Sequence, residues 1–310
     1  MINKKDLIYV AGHKGMVGSA IIRKLKKKGY LNLIYRTRKQ LDLLNTKKTY
    51  KFLLKYKPKF IFIAAAKVGG ILYNNNSSAD FIFENLSIQN NLIHGAYQAG
   101  IKNLIFLGSS CIYPKNCKQP MSENDILTGK LEPTNEAYAI AKITGIKMCE
   151  SYNKQYNTNY KCLMPTNAFG PHDNYDPLNS HFIPALIRKL HLIKKSKNEK
   201  NLIIWGNGKA KREIIHSDDI ADACVFFMNK KNIPDLINIG TGKEYSVAKY
   251  AKIFAKYLDV DVKIIFDKSK PNGMLRKVMD ISLAKKFGWT AKKTIKEAIV
   301  STYRSYLNEK

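Results

Sequence analysis

Tyr138 and Lys142 stand four residues apart in Tyr138-Ala139-Ile140-Ala141-Lys142, a spacing that puts both side chains on one face of a helix. An ammonium beside a phenol lowers the phenol's pKa, which makes Tyr138 a usable acid or base near neutral pH. Upstream, Gly108-Ser109-Ser110-Cys111-Ile112-Tyr113 follows an apolar run, and a serine hydroxyl at such a strand end can hydrogen-bond a substrate carbonyl beside the tyrosine. A second constellation, Gly12-His13-Lys14-Gly15-Met16-Val17-Gly18, has the form of a phosphate cradle. Its glycines permit a tight turn, close approach of backbone to a pyrophosphate, and close packing of helix on strand. The helix that follows presents its free N–H groups to the phosphates.

These groups need particular elements to hold them. Residues 7–11 read as a first strand and 16–28 as its helix, so the glycine motif sits in a strand–turn–helix. Strands at 33–36, 60–65, 103–108 and 160–165 alternate with helices at 47–56, 79–99 and 138–156, the signature of a parallel α/β sheet. The predicted fold class is therefore α/β, a Rossmann-type doubly wound parallel sheet. The second strand ends in Tyr35-Arg36-Thr37-Arg38-Lys39, with no carboxylate before Asp42. An acid at that corner would bind a ribose 2′-hydroxyl, whereas arginine accommodates a 2′-phosphate. Arg38, with Lys14 in reach, favours NADP(H).

From about residue 170 the pattern loosens, and a smaller, interleaved C-terminal lobe is expected. Residues 213–228 and 235–240 look able to return to the main sheet. The expected division is 1–170 plus about 213–240 for the cofactor domain, and about 171–212 plus 241–310 for a substrate-binding lobe.

The chain has 310 residues, 45% of them hydrophobic, with a mean hydropathy of -0.30, enough for a sizeable core in one large domain with a smaller one grafted on. Apolar runs are strand-length, short of the roughly 20 residues of a membrane helix. The run at 7–11 is too short for a signal-peptide core, so the protein is expected to be cytoplasmic and not membrane-bound. Five cysteines show neither paired nor metal-ligand spacing, which argues for free thiols and no metal site. There are 53 Lys+Arg against 24 Asp+Glu, formally +29. The lysines are dispersed among Asn and Ile without the aromatic-basic alternation of a single-strand binding platform. The excess reads as compositional drift over an ordinary surface, and nucleic acid is not the expected partner.

The glycine motif, the serine-bearing strand end and the Tyr–Lys pair together resemble the extended short-chain dehydrogenases. The resemblance becomes closer in particular blocks, nearly end to end. These are Ala11–Ser19, Ala64-Ala-Ala-Lys-Val-Gly-Gly70, Leu107-Gly-Ser-Ser-Cys-Ile-Tyr-Pro114, Leu131-Glu-Pro-Thr-Asn-Glu136, Met164-Pro-Thr-Asn167 and Gly170-Pro-His-Asp-Asn174. Further blocks are Ser180-His181, Ile183-Pro-Ala185, Trp205-Gly, Arg212-Glu213, His216-Ser-Asp-Asp219 and Lys270-Pro-Asn-Gly273. On them the chain is similar to the GDP-fucose synthase family of epimerase/reductases. What the resemblance implies is a two-stage reaction on a GDP-sugar. A 4-keto group acidifies carbons 3 and 5, which Cys111 and His181 epimerise as acid–base pair. NADPH then reduces carbon 4 while Tyr138, supported by Lys142 and Ser109, protonates the oxygen. Cofactor contacts carry over to Gly12 through Gly18, Arg38, Leu107, Gly108, Ser109, Ser110, Lys142, Pro165, Asn167 and His181. Arg212 is the candidate for the diphosphate, with Trp205, Lys189 and Asp280 as further substrate contacts. Lys14 and Lys189 stand where the family more often has arginine, which keeps the charge and loses bidentate geometry. A homodimer through the two long helices is also implied.

Two other readings remain. One is a sister enzyme acting on another GDP-4-keto sugar such as a 6-deoxyheptose. The other is a non-catalytic fold of this type binding RNA, against which the complete Ser109, Tyr138 and Lys142 set counts. A dehydratase would place a carboxylate pair before the Tyr helix, where this chain has Thr134-Asn135-Glu136.

Overall fold

The glycine motif decides how the chain enters its fold. A computed structural model describes residues 2–177, 179–196, 198–270 and 274–309. In it β1 (Ile8–Ala11) is buried at every position and runs through the glycine turn into α1 (Met16–Lys27). Gly12 has φ +83°, and a Cβ there would fall 2.6 Å from the Ala65 nitrogen; at Gly18 it would fall 2.1 Å from the Gly12 oxygen. Both positions therefore exclude a side chain, Gly12 by backbone conformation and proximity and Gly18 by proximity alone.

β2 (Leu33–Ile34) follows, shorter than the sequence suggested because it is an edge strand paired only with β1. α2 (Thr46–Tyr56) is capped by Asn45, whose side chain accepts from the Lys48 N–H at 2.9 Å, the usual service of an Asn N-cap. After β3 (Phe60–Ile63) a short α3 (Ile71–Asn76) precedes the long α4 (Ser78–Gln98). The expected helices 79–99 and 138–156 correspond to α4 and, beyond β4 (Asn103–Leu107), to α5 (Glu136–Tyr156); α3 was not anticipated. β5 (Asn159–Pro165) completes the regular alternation.

The remaining elements are β6 (Asn167–Phe169), α6 (Phe182–Lys195), β7 (Asn201–Trp205), β8 (Lys211–His216), α7 (Ser217–Met228) and β9 (Leu236–Ile239). Then come β10 (Glu244–Ser246), α8 (Val247–Leu258), β11 (Lys263–Asp267), β12 (Arg276–Lys277), α9 (Ser282–Lys286) and α10 (Ile295–Asn308).

The main sheet runs β2-β1-β3-β4-β5-β9, every pairing parallel. The chain leaves β1 towards β2 and then crosses to β3 on the other side. That switch point opens a crevice at the strand carboxyl ends, where sheets of this kind bind ligands. One face of the sheet packs on α1 and α7, the other on α2, α4 and α5. A third apolar cluster, built from α6, β7, α8 and α10, forms the centre of a smaller lobe. Residues 213–216 do not return to the main sheet: β8 pairs with β6, β10 and β12 in a small separate sheet, while α7 packs against α1 and β9 takes the sheet edge. Among the described residues no helix is long and apolar enough to cross a membrane.

His216 joins the two regions. It is 2% exposed and caps α7, its Nδ1 accepting from the Asp218 N–H at 3.1 Å. Burial, with the nearby Lys293 charge, pushes its pKa down to about 4 from 6.5, against the pull of Asp218. In the unfolded chain the imidazole takes a proton near 6.5 and in the folded chain only near 4. Between those values the unfolded state binds more protons, so stability falls as the pH drops through the window, by about 3 kcal/mol in full. Urea unfolding at pH 7 and pH 4.5 is expected to show that loss, and His216→Asn to reduce it. An unchanged loss in the variant would assign it to other groups.

Candidate active site

Lys142 is the buried base of the cluster. The first residues of α5 carry Tyr138 and Lys142 one turn apart, and the helix packs its face against β4 and β5. Lys142 is 3% exposed, and its Nζ donates to the Leu107 carbonyl at 2.8 Å. The ammonium lies 4.7 Å from the Phe106 ring centroid and 5.7 Å from that of Tyr138. Burial lowers its pKa to about 8 from 10.5.

Ser109 lies two residues beyond β4, at the N-cap position of the short turn Ser110–Ile112 that carries Cys111. Its hydroxyl acts on both the Tyr138 phenol and the Cys111 thiol. The Tyr138 pKa is raised, by burial first and by the nearby Cys111 sulfur second, with the Ser109 hydrogen bond pulling it back. The sequence had suggested a phenol lowered by Lys142; here desolvation wins and Tyr138 stays protonated at neutral pH. Cys111 is 7% exposed. Burial raises its pKa, while the Lys277 charge, the Ser109 hydrogen bond and the Lys142 charge lower it.

His181 stands just before α6, at its N-cap, with no side-chain capping bond. It is solvent-accessible yet surrounded by protein on several sides, and desolvation together with Lys277 lowers its pKa. The loop before it is fixed by Gly70, whose N–H donates to the Asn179 carbonyl at 2.8 Å. This ties residues 64–70 to the approach to His181. The Lys277 charge thus acts on both Cys111 and His181, lowering the pKa of each. Lys277 pairs in register with Arg212 across β12 and β8, and the Arg212 charge adds to burial in lowering the Lys277 pKa. Sequence reasoning missed Lys277, because in a chain with 53 basic residues nothing local distinguishes it.

The cofactor residues gather at the switch point. Gly15 caps α1 without a side chain, which leaves the first-turn amides facing outward. A Cβ on Gly15 would meet only the Gly12 oxygen, at 3.5 Å. Protein packing does not demand this glycine, and the space above it suits a pyrophosphate. His13 stacks on Tyr35, with ring centroids 4.7 Å apart. Arg36 turns inward: it donates to the Tyr35 carbonyl at 2.8 Å and to the Tyr56 hydroxyl at 3.2 Å. Arg38 and Lys14 instead are exposed, and Arg38 pairs with the carboxylates of Asp42 at 3.8 Å and Glu84 at 3.6 Å. The residues therefore fit a dinucleotide carrying a 2′-phosphate.

Other expected contacts fall as follows. Gly108 lies against Met164, and its N–H donates to the Leu163 carbonyl at 3.0 Å. Ser110 is buried. Pro165 ends β5 opposite Ile239, and the Asn167 amide donates to the Glu213 carbonyl at 2.8 Å. Arg212 is half-buried beside Lys277. Trp205 projects from the end of β7, 48% exposed, with the Lys270 ammonium 5.9 Å from its ring. Lys189 donates to the Ile203 carbonyl at 2.8 Å, two residues before Trp205. Asp280 lies elsewhere. Its carboxylate accepts from the Ser282 N–H at 2.8 Å and lines a hollow with Glu123, Lys147 and Lys286. Asp280 stands two residues before α9, beyond the end of β12 at Lys277. Of the expected block at 270–273, residues 271–273 lie outside the described residues.

The model of the NAD dependent epimerase/dehydratase family matches residues 8–240. The chain is 46% identical to GDP-L-fucose synthase 1 of Arabidopsis thaliana over 307 residues, 99% of this chain and 95% of that protein. It is 45% identical to the GDP-L-fucose synthase of Escherichia coli (strain K12) over 312 residues, 98% of this chain and 97% of that protein. Among solved structures, a GDP-mannoheptose C4 reductase from Campylobacter jejuni with NADP bound superposes with a TM-score of 0.91 at 37% identity. That match covers 99% of this chain and 100% of the other. The chain belongs to the NAD dependent epimerase/dehydratase family and, within it, to the GDP-L-fucose synthase family.

Proposed function

We propose that this enzyme converts GDP-4-keto-6-deoxy-D-mannose to GDP-L-fucose, epimerising carbons 3 and 5 and reducing carbon 4. The observation that carries the reading is one cluster in which the Ser109 hydroxyl hydrogen-bonds both Tyr138 and Cys111, while the Lys277 charge acts on both Cys111 and His181. Simple carbonyl reduction needs only the serine, tyrosine and lysine; a thiol and an imidazole on a shared cation are what epimerisation adds.

The cofactor is NADP(H), which supplies hydride to carbon 4 when bound. The chain's own residues do the rest. Arg212 and Lys277, adjacent across two strands, hold the diphosphate, which relieves their mutual repulsion. Trp205 and Lys189 stand towards the nucleotide end. Cys111 and His181 together hold one proton at neutral pH, since the thiol is raised and the imidazole lowered. One proton between two groups is the count that removal from one face and return to the other requires. Ser109 positions the carbonyl, and the protonated Tyr138 delivers its proton to the oxygen. Arg38 and Lys14 take the 2′-phosphate.

Exposed Phe83 on α4 and Ile140 on α5, at 65% and 40%, support a homodimer through these paired helices. We place the enzyme in the cytoplasm, with a GDP-sugar lobe centred on α6, β7, α8 and α10 and a cofactor domain that also takes in the segment around α9, since Met279, Ile281, Ala284 and Trp289 pack into the clusters flanking the main sheet.

The test is incubation with GDP-4-keto-6-deoxy-D-mannose and NADPH in deuterated water, with the product read by NMR. A fucose-configured product deuterated at carbons 3 and 5 supports the reading. NADPH oxidation without that deuterium leaves a simple 4-reductase. The likeness to the heptose reductase makes a GDP-4-keto-heptose the comparison substrate, and turnover of it alone would move the assignment to that sugar. Arg38→Ala is expected to raise the KM for NADPH about tenfold or more, because a charged phosphate contact is lost. The KM for NADH should barely change; a parallel rise would take the 2′-phosphate away from Arg38.

A further inference from the structure

Glu213 is a buried carboxylate that the chemistry above leaves without a task. It is 0% exposed, and no ion pair to it occurs among the described residues. Its Oε1 accepts the N–H groups of Thr241 and Gly242, each at 2.6 Å, and its Oε2 accepts the Met279 N–H at 2.8 Å. Its own carbonyl accepts from the Asn167 amide at 2.8 Å and the Thr166 hydroxyl at 3.3 Å. One residue therefore ties together the β5–β6 junction, β8, the turn after β9 and the segment after β12.

Two of those segments carry substrate cations. Arg212 is the neighbour of Glu213 on β8, and Lys277 lies two residues before Met279 on a strand only two residues long. Lys277 faces Arg212 in register, and Tyr245 of β10 faces Arg212 from the other side. The outer end of the short strand is held by Arg276, whose Nε donates to both oxygens of Glu244 at 2.9 Å. The inner end is held by Glu213. Two like charges brought together spread apart unless their backbones are fixed, and a charged acceptor bonding backbone amides is the strong form of such fixing.

We propose that Glu213 is a positioning residue that holds Lys277 against Arg212, so that the pair is already spaced for a diphosphate. It touches neither substrate nor cofactor. The assignment rests on the reading of the site given above, but its test does not depend on which sugar is turned over. A carboxylate serves here because its two oxygens accept from amides on opposite sides. Glutamine keeps the shape but sets an N–H₂ group against one of the amides, a donor facing a donor.

The experiment uses the full chain, with GDP as calorimetric probe, NADPH binding by fluorescence, and steady-state kinetics on the keto sugar. Glu213→Gln is expected to weaken GDP binding and raise the sugar KM about tenfold or more, since small misplacements of binding groups are costly. NADPH affinity should stay within about twofold. Lys277→Met should show the same pattern, and adding Glu213→Gln to it should cost less than about twofold further, because residues acting as a unit are not additive. Glu213→Asp, which keeps both oxygens but loses reach, supplies the same comparison if the glutamine variant does not fold. The proposal is overturned if GDP binding is unchanged in a folded variant, if NADPH binding falls in parallel, or if the two losses simply multiply. A wild-type protein that binds GDP but leaves the keto-mannose untouched would refute the substrate, and the GDP data would still decide the role of Glu213.

Discussion

Cys111→Ser is expected to cut the rate of deuterium incorporation at carbons 3 and 5 steeply while leaving NADPH binding intact. A serine hydroxyl is far too weak an acid to exchange a proton with carbon at neutral pH, whereas a thiol beside Lys277 and Ser109 can. The loss in exchange rate should be about 10²- to 10⁴-fold, the ordinary worth of a placed acid or base. His181→Asn is expected to match it, because removing either partner leaves a proton with no donor or no acceptor. The pH profile gives a second check. The pair holds its one proton only above the pKa of His181, lowered from 6.5, and below that of Cys111, raised from 9.0. Exchange should therefore show a plateau wider than the interval between the ordinary values, falling on the acid side as His181 takes a proton and on the alkaline side as Cys111 loses one. Persistent exchange in either variant, measured by mass spectrometry of recovered sugar, would remove these residues from the epimerisation.

Tyr138→Phe should do the reverse. Reduction is expected to fall about 10²- to 10⁴-fold, and exchange at carbons 3 and 5 should continue, since the phenol serves only carbon 4. The raised pKa of Tyr138 suits this direction of reaction, because a reductase needs a phenol that still carries its proton. Lys142 supplies the alkaline limit: its pKa is lowered to about 8, so its charge fades as the pH rises through that value. Reduction should decline there while the charge is lost, and Lys142→Met should remove the decline together with most of the rate. The discriminating measurement is NADPH oxidation beside deuterium exchange in one sample. If both fall together in Tyr138→Phe, the two steps share the tyrosine and the division of labour fails.

Much of this was written locally in the chain. The run before Gly12 and the helix after Gly15 are set by apolar spacing, and so are α4 and α5, whose observed bounds lie within two residues of those expected. Ser109, Tyr138 and Lys142 were legible for the same reason: each sits at a fixed step from a strand end or along a helix turn. Arg38 was legible as the corner residue of β2, though only the structure separates it from Arg36, which is bound to Tyr56.

What folding alone decided concerns residues that meet from far apart. The Lys277 charge acts on Cys111 and His181, and Glu213 reaches Thr241, Gly242 and Met279, through strand pairings that no periodicity records. Asp280, expected at the substrate, lines a hollow with Glu123, Lys147 and Lys286, in the segment between β12 and α9. Protonation belongs to the same class. The spacing of Tyr138 and Lys142 pointed to a lowered phenol, yet burial raises it. Spacing along a chain fixes which face a side chain occupies, whereas desolvation depends on everything that closes over it. The chain's sequence therefore determined the elements and the chemistry they carry, and tertiary packing determined which charges stand together and which groups keep their protons.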